Sequence, residues 1–440
     1  MYYFISIILL LNTLILVGQT PSDDDGNGFI NIKSLDDLKW ISENSDYWNE
    51  NFELDNDIDA SDTKNWNIGD HDSNLNTPDS AMGFSPIGNE ENRFTGKFDG
   101  NEYRIYNLYI NRKSQDYIGL FGYSESQSEI SNVVLIDCFI EGNYYVGGLV
   151  GNNRSEITNC SISGIVSGNN SVGGLLGRNE ENVIFSQFSG TVFGENNYTG
   201  GFVGNNANGF IRKSFSKGNA FGKTNTGGFA GSSIGIIHDC YSNVNTSGTV
   251  TVGGFIGYFE GTVFNGYSNK SVSGDDKVGG FFGIFKGTSG GCYFDKDKAG
   301  LQNNDNFGAR AKTTFEMQDQ GSYNGWDFEN TWYMDYSHNY NDHYPYFRYT
   351  DLLSDINEYK KSNLHILNVF PNPVNDILNF KYENSFPITK IEIYSTEGKK
   401  LLDITKDKVN SINVKNLKSG SYFIKAKIGD RDRFSNFIKR

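Results

Sequence analysis

A six-residue pattern of apolar residues and glycines repeats through the middle of the chain. Its clearest copy is Val-Gly-Gly-Leu-Val-Gly at 146–151. Related copies stand at 172–177, 199–204, 226–231, 252–257 and 278–283, after a degenerate first copy at 118–122. Gly148 and its equivalents are therefore 26 or 27 residues apart. A fixed period in this range is typical of a solenoid, in which each unit buries its apolar face only by stacking on its neighbours.

Two further short β-like runs follow the glycine pattern in each period, for example 157–161 and 164–168. Pairs such as Asn152-Asn153 and Asn205-Asn206 separate the runs, and Asn and Gly tolerate the left-handed conformations of tight corners. No apolar stripe of helical period survives the glycines, which disfavours a helical repeat. We therefore predict an all-β fold, a right-handed parallel β-helix with three short strands and three corners per coil.

Stacked coils predict columns of like residues along the solenoid. Leu149 and Val150 are adjacent in sequence, yet each belongs to an apolar column. A regular strand would point two neighbouring side chains in opposite directions. Either a bend at the glycines turns one column inward, or one column faces solvent. The three predicted columns are 118, 146, 172, 199, 226, 252 and 278; 120, 149, 175, 202, 229, 255 and 281; and 121, 150, 176, 203, 230, 256 and 282.

The flanks of the repeats are expected to cap the open ends, because an uncovered end exposes unpaired backbone groups. Ser34 is a plausible N-cap of a helix that places Leu35, Leu38 and Ile41 against the first coil. The aromatic run at 326–349 is expected to cover the other end. A sugar-binding platform is the alternative reading of these aromatic residues.

The pattern changes near residue 363 to short alternating strands, which predicts a small antiparallel β-sandwich. The net charge changes there too, from −21 before this point to +6 for 363–440. At the other end, 4–17 is an apolar run that suits a signal peptide better than a membrane span, with a cleavage point near Gly18. The predicted units are a signal peptide (1–18), an N-terminal cap with the first coils (19–110), the repeats (111–300), a C-terminal cap (301–350), a linker (351–362) and the sandwich (363–440).

The composition of the 440 residues excludes several classes of protein. The aromatic content of 15% excludes a disordered chain, and four cysteines are too few for a disulfide scaffold. The formal charge of −15 argues against nucleic-acid binding as the main activity, because such binding depends on neutralising phosphates.

The repeats resemble the GLUG motif of bacterial surface proteins and of the adhesive regions of immunoglobulin A peptidases. The resemblance rests on the Gly-Gly-Leu/Phe-x-Gly unit followed by Ile-x-Asn-Cys-Ser and a Ser-Gly pair, and it extends over roughly residues 29–350. It implies a surface or secreted protein but no particular activity, since such repeats occur in proteins of unlike function.

The C-terminal unit contains a set of residues in a recognisable order: Pro371, Asn372, Pro373, Gly398, Gly420, Tyr422, Lys439 and Arg440. In these residues it resembles the type A sorting domain of the type IX secretion system of gram-negative bacteria. Asn436 stands where a lysine is common in that family. The resemblance implies export by the signal peptide, recognition by the translocon, and a mature chain that is released or attached to surface lipopolysaccharide.

Motifs for catalysis, metal binding or a cofactor are not recognisable, and we predict none of these sites. His338 and His343 could form a ligand pair but fit surface histidines better. Asp23 begins a calcium-loop-like spacing that lacks the bidentate glutamate at its twelfth place, so an acidic linker is the simpler reading. Cys160, Cys240 and Cys292 share a column of small residues with Ser186, Ser214 and Gly266, and all four cysteines are expected to be unpaired.

Two classes of function remain open. The preferred one is a non-catalytic surface or secreted scaffold that binds a glycan or a protein. The alternative is a polysaccharide lyase or hydrolase, which needs carboxylates and basic residues converging on one face. The coil faces carry mainly Ser, Asn and Gly, with charges that look isolated in the sequence, such as Arg154, Arg178 and Asp239.

Overall fold

Parallel strands stack into a solenoid, which confirms the predicted β-helix. The computed structural model describes residues 20–68, 81–301, 308–336, 340–347, 368–371, 374–381, 387–395, 400–428 and 431–440. The predicted signal peptide and linker lie outside these residues. Within the repeats, each strand pairs with its equivalent 26 to 29 residues on, as in Val146 with Val172 and Phe121 with Val150. The described residues include no helix that is long and apolar enough to cross a membrane.

A full coil contains four strands, or the predicted three where the last two merge into one long strand, as in Phe210–Phe221 and Ile236–Ser247. The six-residue pattern forms two strands, because the chain bends at Gly148 and Leu149. Glycine is required beside this bend: a Cβ on Gly147 would lie 2.3 Å from the carbonyl oxygen of Val150. The strands of one coil are Tyr144–Gly147, Val150–Asn153, Glu156–Thr158 and Ser161–Gly168.

Equivalent strands form three sheets that run the length of the solenoid. The first sheet continues through Asn170–Gly173, Asn197–Gly200, Thr224–Gly227, Val250–Gly253 and Asp276–Gly279. The second contains Phe121–Tyr123, Leu176–Asn179, Val203–Asn206, Ala230–Ser233, Ile256–Phe259 and Phe282–Phe285. The third contains Glu129–Ser131, Val134–Glu141, Val183–Ile184, Gln187–Gly194, Phe210–Phe221, Ile236–Ser247, Thr262–Ser268, Val272–Ser273, Thr288–Gly290, Tyr293–Asp295 and Arg310–Lys312.

The bend explains how two adjacent columns both face the core. Leu149 and Val150 are each fully buried, so the chain turns at the glycines and neither column faces solvent. In later coils the first of these columns is a stack of phenylalanine rings, with centroid distances of 4.7, 4.9 and 4.6 Å from Phe202 through Phe229 and Phe255 to Phe281. Like residues at one register therefore build a continuous core.

A buried ladder of asparagine side chains runs through the same core. Nδ2 of Asn153 donates to Oδ1 of Asn179 at 2.8 Å, and Nδ2 of Asn179 donates to Oδ1 of Asn206 at 3.1 Å. Asn206 in turn donates to Oγ of Ser233 at 3.2 Å. The sequence pattern predicts asparagines such as Asn153 and Asn206 at corners, but they stand at strand ends and their side chains are buried. Their mutual hydrogen bonds offset the desolvation of the amides.

The N-terminal end is capped as predicted. Ser34 is the N-cap of helix Leu35–Glu43, and its side chain accepts a hydrogen bond from the N–H of Asp37. Leu38 and Ile41 on this helix are fully buried in the main core. The first coils add the strands Ile30–Ile32, Phe52–Leu54, Ile58–Asp59, Lys97–Asp99, Arg104–Tyr106 and Tyr109–Asn111 and the 3-10 helices Ser45–Tyr47 and Ser61–Asn65.

The aromatic segment covers a side of the solenoid rather than its open end, which corrects the prediction. We call residues 313–336 and 340–347 the aromatic cover. Trp332 Nε1 donates to Asp239 at 3.2 Å, and the Tyr267 hydroxyl, one coil further, donates to the Pro345 carbonyl at 2.7 Å. The cover packs on an outward column that we call the flank column: Phe215, Tyr241, Tyr267 and Tyr293.

The short elements that follow the last coil lie between the core and the aromatic cover. Ala299, at the end of helix Lys296–Ala299, is buried beside the last coil, with Leu301 packed against the same core. The elements of the cover are helices Thr314–Met317, Gln320–Ser322 and Tyr340–His343 and the strands Trp332–Tyr333 and Tyr346–Phe347.

The named strands that the structure describes in the C-terminal unit pair antiparallel, as predicted, and the unit has its own apolar core. Its first sheet joins Asn368–Phe370, Ile377–Lys381 and Ser411–Asn413. Its second sheet joins Lys400–Thr405, Ile388–Ser395, Gly420–Ile428 and Arg431–Lys439.

Candidate binding surface

One corner of the solenoid places an outward side chain in the left-handed backbone region in every coil. Seven residues form this column, with φ between 48° and 63°. Asn and Gly suit this conformation, whereas larger side chains adopt it at a cost. Phe185 and Lys213 nevertheless occupy it in two successive coils. The column runs Asn132, Asn159, Phe185, Lys213, Asp239, Asn265 and Gly291.

Apolar and cationic side chains cluster in the coils where Phe185 and Lys213 stand in place of asparagine. Phe185, Ile236 and Phe264 are 40%, 45% and 38% exposed, which is unusual for large apolar residues. The Lys213 ammonium lies 5.3 Å from the centroid of the Phe185 ring, a cation–π distance. We call the following six residues the corner patch: Phe185, Arg212, Lys213, Ile236, His238 and Phe264.

Asp239 anchors the corner patch from beneath. Its buried carboxylate lies 2.7 Å from Nδ1 of His238 and accepts hydrogen bonds from Nδ2 of Asn265 at 3.0 Å and from Trp332 at 3.2 Å. Nε of Arg212 is 3.7 Å away. Burial by itself would raise the pKa of Asp239, but the hydrogen bonds from His238 and Asn265 outweigh it and lower the pKa. Asp239 is therefore ionised and holds His238 and Arg212 at the surface.

The corner patch is locally basic on an acidic chain. The segments 182–185, 210–213, 236–239 and 262–265, which build this corner, contain one acidic residue, the buried Asp239. Arg212 and Lys213 against Asp239 leave a net charge of +1 with His238 neutral. The side chain of Arg212 is 43% exposed, so its remaining N–H groups reach solvent.

Arg154 and Arg178 are not isolated charges, contrary to the sequence analysis. Nε of Arg154 lies 3.0 Å from Glu180, and a terminal nitrogen of Arg178 lies 2.9 Å from the same carboxylate. Glu125 lies 3.8 Å from Arg154 and also forms an ion pair with Arg93, which is in the coil before Glu125. Glu125, Arg154 and Glu180 each stand three residues after the closing glycine of their repeat, so the signal in the sequence was a column of alternating charge, which a search for columns of like residues does not detect. Its charges neutralise one another, which favours a structural role.

The structure brings part of the predicted sorting motif together. Gly420 pairs with Lys439 across two antiparallel strands, and Tyr422, two residues on, stacks on Phe437 at a centroid distance of 5.4 Å. The N–H of Arg440 donates to the carbonyl of Val374 at 2.9 Å, three residues after Pro371. Asn372, Pro373 and Gly398 lie outside the described residues. The role of these residues in sorting stays a prediction.

The weaker metal candidates hold structural contacts. The carboxylate of Asp23 accepts hydrogen bonds from the N–H groups of Gly26 and Gly28 at 2.7 and 2.9 Å, which closes the acidic turn on itself. Nδ1 of His343 lies 3.1 Å from the carbonyl oxygen of Asp335, and His338 is outside the described residues. The residues that the structure describes include no group of three or more His, Cys, Asp or Glu side chains that could hold a metal ion.

All four cysteines are free and buried. Cys240 pairs in register with Ser214 and Gly266, which confirms the column of small residues. Burial raises the pKa of Cys138 and of Cys160 to about 12. Such thiols behave as small apolar side chains and stay protonated at physiological pH.

Comparison with known proteins separates the solenoid from the C-terminal unit. Residues 142–167 match the family model described as the GLUG motif, and residues 368–440 match the secretion system C-terminal sorting domain. Halomucin of Haloquadratum walsbyi is 35% identical over 142 residues, which are 31% of this chain and 1% of that protein. A protein of Evansella cellulosilytica described as a Gly-rich membrane protein is 43% identical over 83 residues, 18% of this chain and 10% of that protein.

Among solved structures, one described as an immunoglobulin A1 protease from Bacteroides ovatus matches with a TM-score of 0.43 and 18% identity. The match covers 73% of this chain and 92% of that one. The family matches are the informative ones, because each falls on the unit whose residues carried the resemblance. The chain thus combines a GLUG motif in a parallel β-solenoid with a type IX secretion sorting domain, and it is a secreted or cell-surface protein.

Proposed function

We propose that this protein works outside the cell as a non-catalytic β-solenoid that binds an extracellular glycan or a protein through the corner patch. The observation that carries the proposal is the exposure of Phe185, Ile236 and Phe264 beside two cations on a rigid coil surface. Exposed apolar residues that cluster in this way mark interaction sites on soluble proteins.

The stacked coils support a binding role. Backbone hydrogen bonds between coils fix the position of each outward side chain, so the corner patch is organised before a ligand arrives. Binding then costs little ordering of the protein. The Asp239 network adds to this order, since it holds His238 and Arg212 in place.

The route to the surface is part of the same proposal. The signal peptide at 1–18 would direct transport across the inner membrane, and the sorting domain at 363–440 would engage the translocon through the residues named above. The mature chain would then be released or attached to lipopolysaccharide.

Two experiments test this proposal. Deletion of 363–440 is expected to leave a folded solenoid in the periplasm, detected by cell fractionation, and normal appearance of the truncated chain outside the cell would contradict the sorting role. Binding of the purified protein to a glycan array and to host cells, with and without Phe264→Ala, tests the corner patch. Undiminished binding by the variant would place the ligand elsewhere.

A second candidate function is favoured by one contact. A histidine oriented by a buried carboxylate, as His238 is by Asp239 at 2.7 Å, is an arrangement that enzymes use for proton transfer. A polysaccharide lyase or hydrolase would use Nε2 of His238 as the base beside Arg212. Release of reducing ends or unsaturated products by the pure protein, abolished by His238→Gln, would replace the binding proposal with this one.

A further inference from the structure

We infer that the ligand of the corner patch is a linear anionic glycan that lies parallel to the solenoid axis. The inference rests on the proposed binding function and specifies its ligand and its direction. It depends on three properties of the corner patch: a linear arrangement, two exposed rings at its ends, and cations between them.

The corner patch is a few residues wide and runs along the axis over four coils. Arg212, His238 and Phe264 are register partners in three successive coils, and Phe185 precedes them by one coil in the adjacent column. Coils are separated by about 4.8 Å, so the two phenylalanine rings are roughly 14 Å apart along the axis. A ligand that touches both rings must be extended in this direction.

The two rings suit the apolar faces of sugar units. An aromatic face offers a large contact area at a small loss of side-chain freedom. The ring of Phe264 lies 6.2 Å from His238, and that of Phe185 lies under the Lys213 ammonium, so each ring has a polar neighbour. A sugar on either ring would therefore meet a hydrogen-bonding group at its edge.

The cations require an acidic ligand. Arg212 and Lys213 are in the coil between Phe185 and His238, and the guanidinium fork of Arg212 matches a carboxylate or sulfate group. Asp239 does not repel such a group strongly, because it is buried and its oxygens are occupied by His238, Asn265 and Trp332.

A narrow strip favours a polymer chain over a folded protein. A stable protein interface buries about 800 Å² on each partner, usually as a broad patch of 20 to 30 residues. The corner patch is only six residues that extend along the axis over four coils, and the flank beside it is already occupied by the aromatic cover. An extended polymer chain can contact several successive coils without needing breadth.

The test compares matched polysaccharides on the full chain. Polygalacturonate and its fully methyl-esterified form compare a charged with a neutral polymer on the same backbone, as do dextran sulfate and dextran; polyglutamate is the acidic peptide control. We expect at least one acidic glycan to bind about tenfold or more tightly than its neutral counterpart, with an affinity that falls as salt rises.

The variants assign the binding to the corner patch. Lys213→Asn removes a cation and supplies a residue suited to the left-handed backbone, so folding is retained. Its control is Lys277→Asn, since Lys277 has φ of 53° on another corner and is exposed. Phe264→Ala is paired with Phe315→Ala, whose ring is 84% exposed on the aromatic cover. Lys213→Asn and Phe264→Ala should each weaken acidic-glycan binding about tenfold or more, and the controls should leave it unchanged.

The other outcomes contradict the inference in distinguishable ways. Equal binding of acidic and neutral glycans, or full binding by Lys213→Asn, would overturn the anionic ligand and leave the proposed binding function standing. Binding of polyglutamate alone would point to a protein ligand. Failure to bind any of the polysaccharides would overturn the inference, and binding to host cells would then decide whether the proposed function survives.

Discussion

The flank column and the corner patch lie on the same strands yet meet different surroundings. In strand Ile236–Ser247, His238 is part of the corner patch and Tyr241 is part of the flank column, three residues further on. Tyr241 is buried under Trp332 and Phe347, whereas its neighbours at the corner are exposed. The chain supplies its own partner for one outward surface and leaves the other open.

This difference separates structural from functional aromatic residues on one sheet. Flank residues form stacked pairs, such as Tyr241 with Tyr267 at 5.1 Å, and they complete a second core with the aromatic cover. Corner residues alternate between rings and cations, so they cannot form a continuous apolar core with one another. Sequence alone would rank both sets as exposed aromatic residues on a solenoid.

The strongest test of the comparison removes the centre of the aromatic cover. Trp332 is fully buried, with its ring centroid 4.2 Å from that of Trp326 and 4.6 Å from that of Phe347. Trp332→Ala should lower the free energy of unfolding of the last coils by about 3–5 kcal/mol. Hydrogen exchange of the flank strands and binding of a hydrophobic dye would report the exposed column, and unchanged exchange would show that the cover contributes nothing.

The next largest effect is expected at the residue that connects the two surfaces. Asp239→Asn removes a buried charge that accepts three hydrogen bonds, and it should cost about 1.5–3 kcal/mol. The lowered pKa means that the carboxylate stabilises the fold above its unfolded pKa and loses this effect as pH falls through the folded value. Acid unfolding curves should therefore converge for the two proteins at low pH, and the exposed Asp276→Asn is the control.

A smaller loss is expected from a single hydroxyl of the flank column. The Tyr267 hydroxyl donates to Pro345 at 2.7 Å and accepts from Asn341 at 2.9 Å. Tyr267→Phe keeps the ring and removes both bonds, so we expect a loss of about 1–2 kcal/mol in denaturant unfolding. A loss as large as that of Trp332→Ala would mean that polar contacts, and not ring packing, hold the cover.

The smallest effect on stability is expected at the corner. Phe264→Ala removes a ring that is 38% exposed, so the loss in the free energy of unfolding should stay at about 1 kcal/mol or less. A loss of several kcal/mol in the same unfolding assay would show that the ring has a structural role and would erase the distinction between the two surfaces.

The repetition in the sequence predicted the interior better than the exterior. The structure reproduces the predicted register of the columns that contain Val146 and Val150. These columns were predictable because every coil must bury the same positions in the same way. Outward positions have no such constraint, and Phe185, Lys213 and Asp239 share one column without sharing a chemical type. The corner patch therefore gave no repeating signal.

The aromatic cover was misplaced for a related reason. The aromatic residues 215, 241, 267 and 293 recur at the coil period, but Ser161 and Gln187 hold the equivalent places in earlier coils. This change along a single column was the available signal that part of the outer face is covered. The capping argument considered unpaired backbone groups at the open end and not outward side chains. It therefore could not place the aromatic residues on the side of the solenoid.

Coil-by-coil stacking also has a consequence for how such a chain can change its length. Side chains of one coil meet mainly those of the coils before and after, so duplication or loss of one coil by recombination leaves the interior columns aligned. Between Phe185 and Phe264, however, one coil more or less would change the separation of the two rings by about 4.8 Å. The number of coils thus acts as a molecular ruler, and whole-coil steps could retune the length of ligand that the corner accepts without redesigning a single contact of the core.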